Sequence, residues 1–151
     1  MPVRRQIAIA VAGALLITPR SSRAQVAELR APNVVPISPT LATSGQPSAT
    51  ALAGLAAAGF QAVIYLAPNT VSDAVTEEPA ILMRQGIEFI HIPIPFAAPE
   101  EKHYLAAAEA LTRLSAKKVL VHCQVNLRAS SIVFLYRSSP AESPRPLPTR
   151  L

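Results

Sequence analysis

The chain has 151 residues, about one domain's worth, half of them apolar, with fourteen Lys or Arg, nine Asp or Glu and a single cysteine, Cys123. One thiol excludes a disulfide framework and a structural cysteine-type zinc site, and the apolar share excludes a disordered chain. A net charge of +5 would suit a nucleic-acid partner, so where the charges sit decides that question.

The first 24 residues read as a signal peptide. Arg4 and Arg5 make a basic start, Ile7 to Ile17 is an apolar run without charge, and Ser22-Arg23-Ala24 places small residues where a signal peptidase cuts. That run is too short to cross a hydrocarbon core of ~30 Å, so no stable membrane span is expected. A periplasmic or secreted location follows. At the other end, Pro140, Pro144, Pro146 and Pro148 interrupt residues 138–151, and each removes a backbone donor and disfavours helix before it. This tail is expected to be extended or disordered. Without Arg4, Arg5, Arg20 and Arg23 the excess charge falls from +5 to +1, and across residues 25–137 basic and acidic groups balance. The basicity belongs to the ends, no aromatic-interleaved basic patch exists, and no nucleic-acid partner is expected.

Residues 25–137 alternate between strand and helix patterns. Val34 to Ile37 and Leu41 to Ser44 are short extended pieces, and Ser44-Gly45-Gln46-Pro47 is a turn. Ser48 caps a helix through Leu52, Leu55 and Ala56 that Gly59 ends. Ala62 to Leu66 is a strand buried on both faces. Thr76, Glu77, Glu78 and Pro79 begin a helix, their acids favoured by its dipole, and Gly86 stops it. Glu88 to Ile92 is a strand, followed by a stiff loop through Pro93, Pro95 and Pro99. A helix of about 15 residues then presents Tyr104, Leu105, Ala108, Leu111 and Leu114 on one face. Lys118 to His122 is another strand, and Ala129 to Tyr136 is apolar at helical spacing. Strands separated by helices imply right-handed crossovers and an α/β fold with a mostly parallel central sheet flanked by helices. Such sheets place ligands at the carboxyl ends of their strands.

One segment carries chemistry. The strand Val119-Leu120-Val121-His122 runs into Cys123, then a short loop, then Arg128 and a helix. The amides of Gln124, Val125, Asn126, Leu127 and Arg128 can converge on a phosphate at the helix N-terminus. That positive end favours the thiolate of Cys123, which is the nucleophile. Arg128 can hold two phosphoryl oxygens in a bidentate fork. A cation at a helix N-terminus is otherwise unfavourable, which points to an anionic partner. Asn126 tolerates a left-handed backbone in a loop that has no glycine. Ser130 is either a helix-start hydroxyl or a catalytic one, and His122 either orients the loop through hydrogen bonds or acts directly.

At these residues the chain resembles the cysteine-dependent protein tyrosine and dual-specificity phosphatases, and within them the bacterial beta-lactamase-hydrolase-like phosphatase family. Thr43-Ser44-Gly45-Gln46-Pro47-Ser48, the strand ending Ile90-His91-Ile92-Pro93, and the His122-Cys123 loop carry the likeness over residues 34–137. The resemblance implies a tyrosine-phosphatase-like fold and a phosphocysteine mechanism. Cys123 would attack phosphorus, Arg128 would hold the oxygens, and water would release phosphate, with a phosphorylated protein or small molecule as partner and no metal or organic cofactor.

The chain departs from that pattern in three places. Four residues rather than five separate Cys123 from Arg128, so Ala129 takes the usual Arg slot while Ser130 keeps its usual distance from Cys123. No Asp follows the strand at residues 88–92, where the superfamily keeps its general acid. Glu100 is the nearest candidate to protonate a leaving oxygen, although a helix-start acid that offsets the dipole is the stronger reading of it; Glu101 shares that ambiguity, and His91 and Asp73 are weaker alternatives. Relatives continue with further helix where the Pro-rich tail begins, which implies a shortened C-terminal end. Two other functions suit the same loop. A rhodanese-like sulfurtransferase has similarly short cysteine loops, and a phosphate- or phosphopeptide-binding pseudophosphatase would need no general acid.

Overall fold

The computed structural model describes residues 29–139; the expected signal peptide and the tail from residue 140 onward lie outside the described residues. Five short strands form one sheet in the order β1-β2-β5-β3-β4. β1 (Val35–Ser38) and β2 (Leu41–Ser44) make an antiparallel hairpin at the edge. β3 (Ala62–Tyr65), β4 (Glu88–His91) and β5 (Val119–His122) run parallel to β2. α1 (Ala49–Ala53), α2 (Glu78–Met83), α3 (Glu101–Arg113) and α4 (Leu127–Ser138) connect and flank them. The mostly parallel α/β architecture is the one expected from the alternation of patterns. Among the described residues no helix is long and apolar enough to cross a membrane.

Every residue of β3 and β5 is buried, and the two-residue period of a strand sorts their side chains between the faces. Ala62, Ile64, Val119 and Val121 join Ala107, Leu111, Leu114, Ala129 and Val133 of the α3 and α4 side. Val63 and Leu120 turn the other way, onto Leu52, Leu55, Ile81 and Leu82 of the α1 and α2 side. Full burial of each such Leu, Ile or Val side chain contributes about 1.5–3 kcal/mol. The two inner strands are therefore anchored from both faces, and they hold the loops at their carboxyl ends in place.

Three helices differ from the pattern reading. In α3 the buried face runs through Ala107, Ala110 and Leu111, and Leu105, expected on it, is exposed. α1 stops at Ala53, because Gly54 donates back to Ala51 O at 3.1 Å and tightens the turn, which brings Leu55 and Phe60 down onto the sheet. Ser48 does cap it, its Oγ accepting from Ala51 N at 3.2 Å. Gly59 and Gly86 adopt φ of +83° and +70°, the left-handed turns that end their segments. α4 begins at Leu127, two residues before the apolar spacing starts, so Arg128 belongs to its first turn.

Candidate active site

All four parallel strands deliver their carboxyl ends to one edge, and the connections after them meet there. Cys123 follows β5 directly and is wholly buried. Its N–H donates to Ser44 O at 3.2 Å, and Gln46 N donates to Gln124 O at 3.0 Å, so the Ser44-Gly45-Gln46 turn is laced to the cysteine loop. Gly45 sits at the closest approach. A Cβ there would lie 2.7 Å from Gln124 O and 2.9 Å from Pro32 Cβ, which no side chain tolerates without displacing backbone. The Ser-Gly-Gln-Pro segment thus has a steric reason for its glycine.

Residues 124–128, the expected phosphate-binding loop, lie between Cys123 and the body of α4. An isolated antiparallel bridge joins Gly45 and Val125; among the described residues the amides of Gln124, Val125, Leu127, Arg128 and Ala129 donate to no backbone carbonyl, and Ser130 N donates to Asn126 O at 2.9 Å. A bend followed by a helix start leaves such amides without internal partners, and successive free amides form an anion-binding concavity. Asn126 makes the bend at φ +76°. Its Nδ2 donates to Asn33 O at 2.7 Å, and Asn33 Nδ2 donates to Val125 O at 3.0 Å. Val125 and Leu127 are exposed.

Arg128 lies in the first turn of α4 with its Nε buried and without a hydrogen-bond partner. Its guanidinium stands 5.3 Å over the ring of Phe96, an exposed residue of the loop after β4. No carboxylate lies within ion-pair distance of it among the described residues. A buried donor without an acceptor, beside a row of free amides, suits an anion. Ser130 points elsewhere: its Oγ donates to Asn126 O at 2.7 Å, which steadies the start of α4.

The acid candidates separate clearly. Glu100 precedes α3 with an exposed side chain 2.8 Å from Lys102 Nζ, and the hydrogen bond from Lys102 holds its carboxyl below the usual range. Glu100 N donates to His103 Nδ1, as befits a helix start. Asp73 is exposed in the loop after β3, Glu101 is exposed, and His91 Nε2 donates to Ala67 O at 2.8 Å.

Behind Cys123 lies a polar cluster that the residue pattern did not reveal. Glu78, expected as a simple helix-start acid, is only 2% exposed and accepts from His122 Nε2 at 2.7 Å. Gln46 Nε2 donates to its other oxygen at 2.9 Å. Tyr65 stacks between His122 and His91 at centroid separations of 4.7 and 4.9 Å. Burial, and then the charges of Glu78, Asp73 and Cys123, push its phenol up to about 12. The spacing of Glu78 from Cys123 in the chain carried no signal of this contact; a buried His before the cysteine, needing a partner, was the sole hint. Among the described residues no three His, Cys, Asp or Glu side chains group as metal ligands.

Comparison with known proteins places this geometry. No family model and no curated protein matches the chain. Solved structures do. The "Putative phosphatase (DUF442)" from Shewanella putrefaciens CN-32 matches with TM-score 0.70 and 31% identity, over 76% of this chain and 74% of that one. Tk-PTP in its active form matches with TM-score 0.54 and 29% identity, over 64% and 65%. The core catalytic domain of the PP-IP phosphatase SIW14 from S. cerevisiae shares the fold at 16% identity and TM-score 0.61, over 71% and 66%. From the extent and identity of the Shewanella match, the chain belongs to the DUF442 family, within the superfamily of cysteine-dependent tyrosine and dual-specificity phosphatases.

Proposed function

We propose that the protein is an exported cysteine-dependent phosphatase that hydrolyses phosphomonoesters through a phosphocysteine on Cys123. One observation carries the reading: the only cysteine opens a loop whose amides at Gln124, Val125, Leu127 and Arg128 donate to no backbone carbonyl, and the Arg that follows is buried at Nε with no protein acceptor. The amides of Gln124 to Arg128 would bind the phosphoryl oxygens and Arg128 would take the remaining charge. The Cys123 thiolate attacks phosphorus, the ester oxygen leaves with the electron pair as an oxyanion that takes its proton from solvent, and water then attacks the phosphocysteine to release inorganic phosphate and regenerate the thiolate. The finer likeness to the bacterial beta-lactamase-hydrolase-like phosphatases rests on the Ser-Gly-Gln-Pro segment, whose glycine lets the backbone close on the cysteine loop.

Glu100 does not suit the part of general acid, because an exposed carboxylate held ionised by Lys102 has no proton to give at neutral pH. Substrates whose oxygen leaves readily without a proton, such as aryl phosphates, are therefore favoured. TpbA of P. aeruginosa, a neighbour at 21% identity, has been crystallised with phosphotyrosine. Export rests on residues 1–24 and is tested by sequencing the N-terminus of protein recovered from the periplasm, where retention in the cytoplasm overturns it. The catalytic reading is tested with an aryl phosphate: turnover by the native protein, lost in both Cys123→Ser and Arg128→Ala, supports it. Phosphate binding without turnover, or turnover that survives Cys123→Ser, overturns it.

A further inference from the structure

Residues 32 and 33 join both sides of the site at once. Pro32 O accepts from Gly45 N at 2.7 Å, in the turn after β2. Asn33 O accepts from Asn126 Nδ2 at 2.7 Å, and Asn33 Nδ2 donates to Val125 O at 3.0 Å, both in the cysteine loop. The segment that makes these bonds is itself held. Leu29 and Val34, on either side, pack against the core of the α1 and α2 side, and Pro32 fixes its own φ. Asn33 is exposed and takes φ +50°, a left-handed backbone that residues other than glycine keep where neighbours hold them. No burial compels that conformation; the two hydrogen bonds to the loop do.

The effect falls on the direction of the loop's carbonyls. A phosphate needs amides that face it and carbonyls that face away. A peptide unit is planar and trans, so its C=O and N–H point in opposite directions. Gln124 O is tied to Gln46 N at 3.0 Å, which aims Val125 N–H away from the turn after β2. Val125 O is tied to Asn33 Nδ2. Both carbonyls are thus occupied by donors outside the loop. The bend at Asn126, φ +76°, follows the second of them directly, and rotation of the peptide between Val125 and Asn126 would relax the left-handed backbone and release Val125 O. We propose that Asn33 is a positioning residue that holds this peptide against rotation and so keeps the anion cradle set for the phosphoryl group, a role that rests on the phosphatase reading above. Donors fixed in advance spend nothing on reorganisation when charge arrives, so a loosened loop binds phosphate more weakly.

Asn33→Gly keeps the left-handed backbone, which glycine adopts freely, and removes only the side-chain hydrogen bond to Val125 O. Binding of inorganic phosphate, measured by calorimetry on the folded protein well below its melting temperature, should weaken about fivefold, as for the loss of one neutral hydrogen bond. KM for an aryl phosphate should rise by a similar factor while kcat changes less than about twofold, the mark of lost binding common to ground and transition states. A purely structural role would lower the melting temperature and leave phosphate affinity and KM of the folded protein unchanged, and that result overturns the proposal. A variant without a cooperative thermal transition overturns it too, since the segment would then hold the fold rather than the loop. Calorimetry needs no turnover. Native protein that binds phosphate, loses affinity in Asn33→Gly and turns over no aryl phosphate therefore sinks the catalytic reading alone, whereas native protein that binds no phosphate sinks both.

Discussion

Asn126 and Asn33 lock each other in place across 93 residues of chain: Asn126 Nδ2 donates to Asn33 O at 2.7 Å, and both residues have positive φ, 76° and 50°. The segment before β1 is thus part of the support of the cysteine loop. Pro32 O also accepts from Gly45 N at 2.7 Å. The loop has no glycine, so an asparagine supplies the left-handed bend and its side chain ties that bend down. Replacement by alanine loses both the tolerance for that backbone and the hydrogen bond, whereas glycine loses the bond alone. Asn126→Ala should therefore unfold more easily than Asn126→Gly by about 1 kcal/mol, read as the difference in denaturant midpoints at equal slope.

Gly45 makes the second prediction. A methyl group there would meet Gln124 O at 2.7 Å, and both neighbours are backbone or proline, neither of which yields cheaply. Gly45→Ala should cost about 1–3 kcal/mol through overpacking. It should also lower turnover more than Gly54→Ala, since the nearest atom to a Cβ at Gly54 lies 3.6 Å away. Equal activity of the two variants would show that the turn does not hold the loop.

Glu100 makes the third. Its carboxylate is exposed and paired with Lys102, so Glu100→Gln should leave turnover of an aryl phosphate within about threefold, where loss of a working general acid costs about 10²-fold or more. A drop of the larger size, with the descending limb of the pH profile removed, would restore Glu100 to catalysis.

Tyr65 makes the fourth. Its phenol, ordinarily near 10, is pushed up to about 12, first by burial and then by Glu78. A folded-state value raised above the unfolded one means that the contribution to stability is complete below pH ~10 and is lost as pH rises toward ~12. Native protein should lose stability across that window, and Tyr65→Phe should lose less of it there, by thermal melts at stepped alkaline pH. The substitution removes only a long hydrogen bond to Pro68 O, at 3.4 Å, so the two proteins should be close in stability at neutral pH.

Much of this molecule was legible in its order of residues because the signals are local. The apolar runs at Ala62–Tyr65 and Val119–His122 are short, β-branched and flanked by turns, and each became a strand buried on both faces. Glycines at 59 and 86 ended their segments because a positive φ costs them little. Cys123, the loop and Arg128 are neighbours in the chain, so their closeness needed no tertiary information. The ends of α1 and α4 were less legible, since a tightened turn at Gly54 and a bend at Asn126 depend on what the flanking residues reach.

What the sequence determined by itself is a set of strand and helix periods, one thiol at the end of a buried strand, and a net positive charge contributed by the termini. What tertiary structure alone decided is which distant groups stand behind that thiol. Glu78 looked like a helix-start acid because a dipole argument accounts for it locally, yet burial forced its carboxylate to find partners, and the fold supplied His122 and Gln46, 44 and 32 residues away. Glu100, which local spacing nominated, was left in water beside Lys102. Periodicity reports which face of an element is apolar; only the packing of four strand ends on one edge reports which polar groups must satisfy one another.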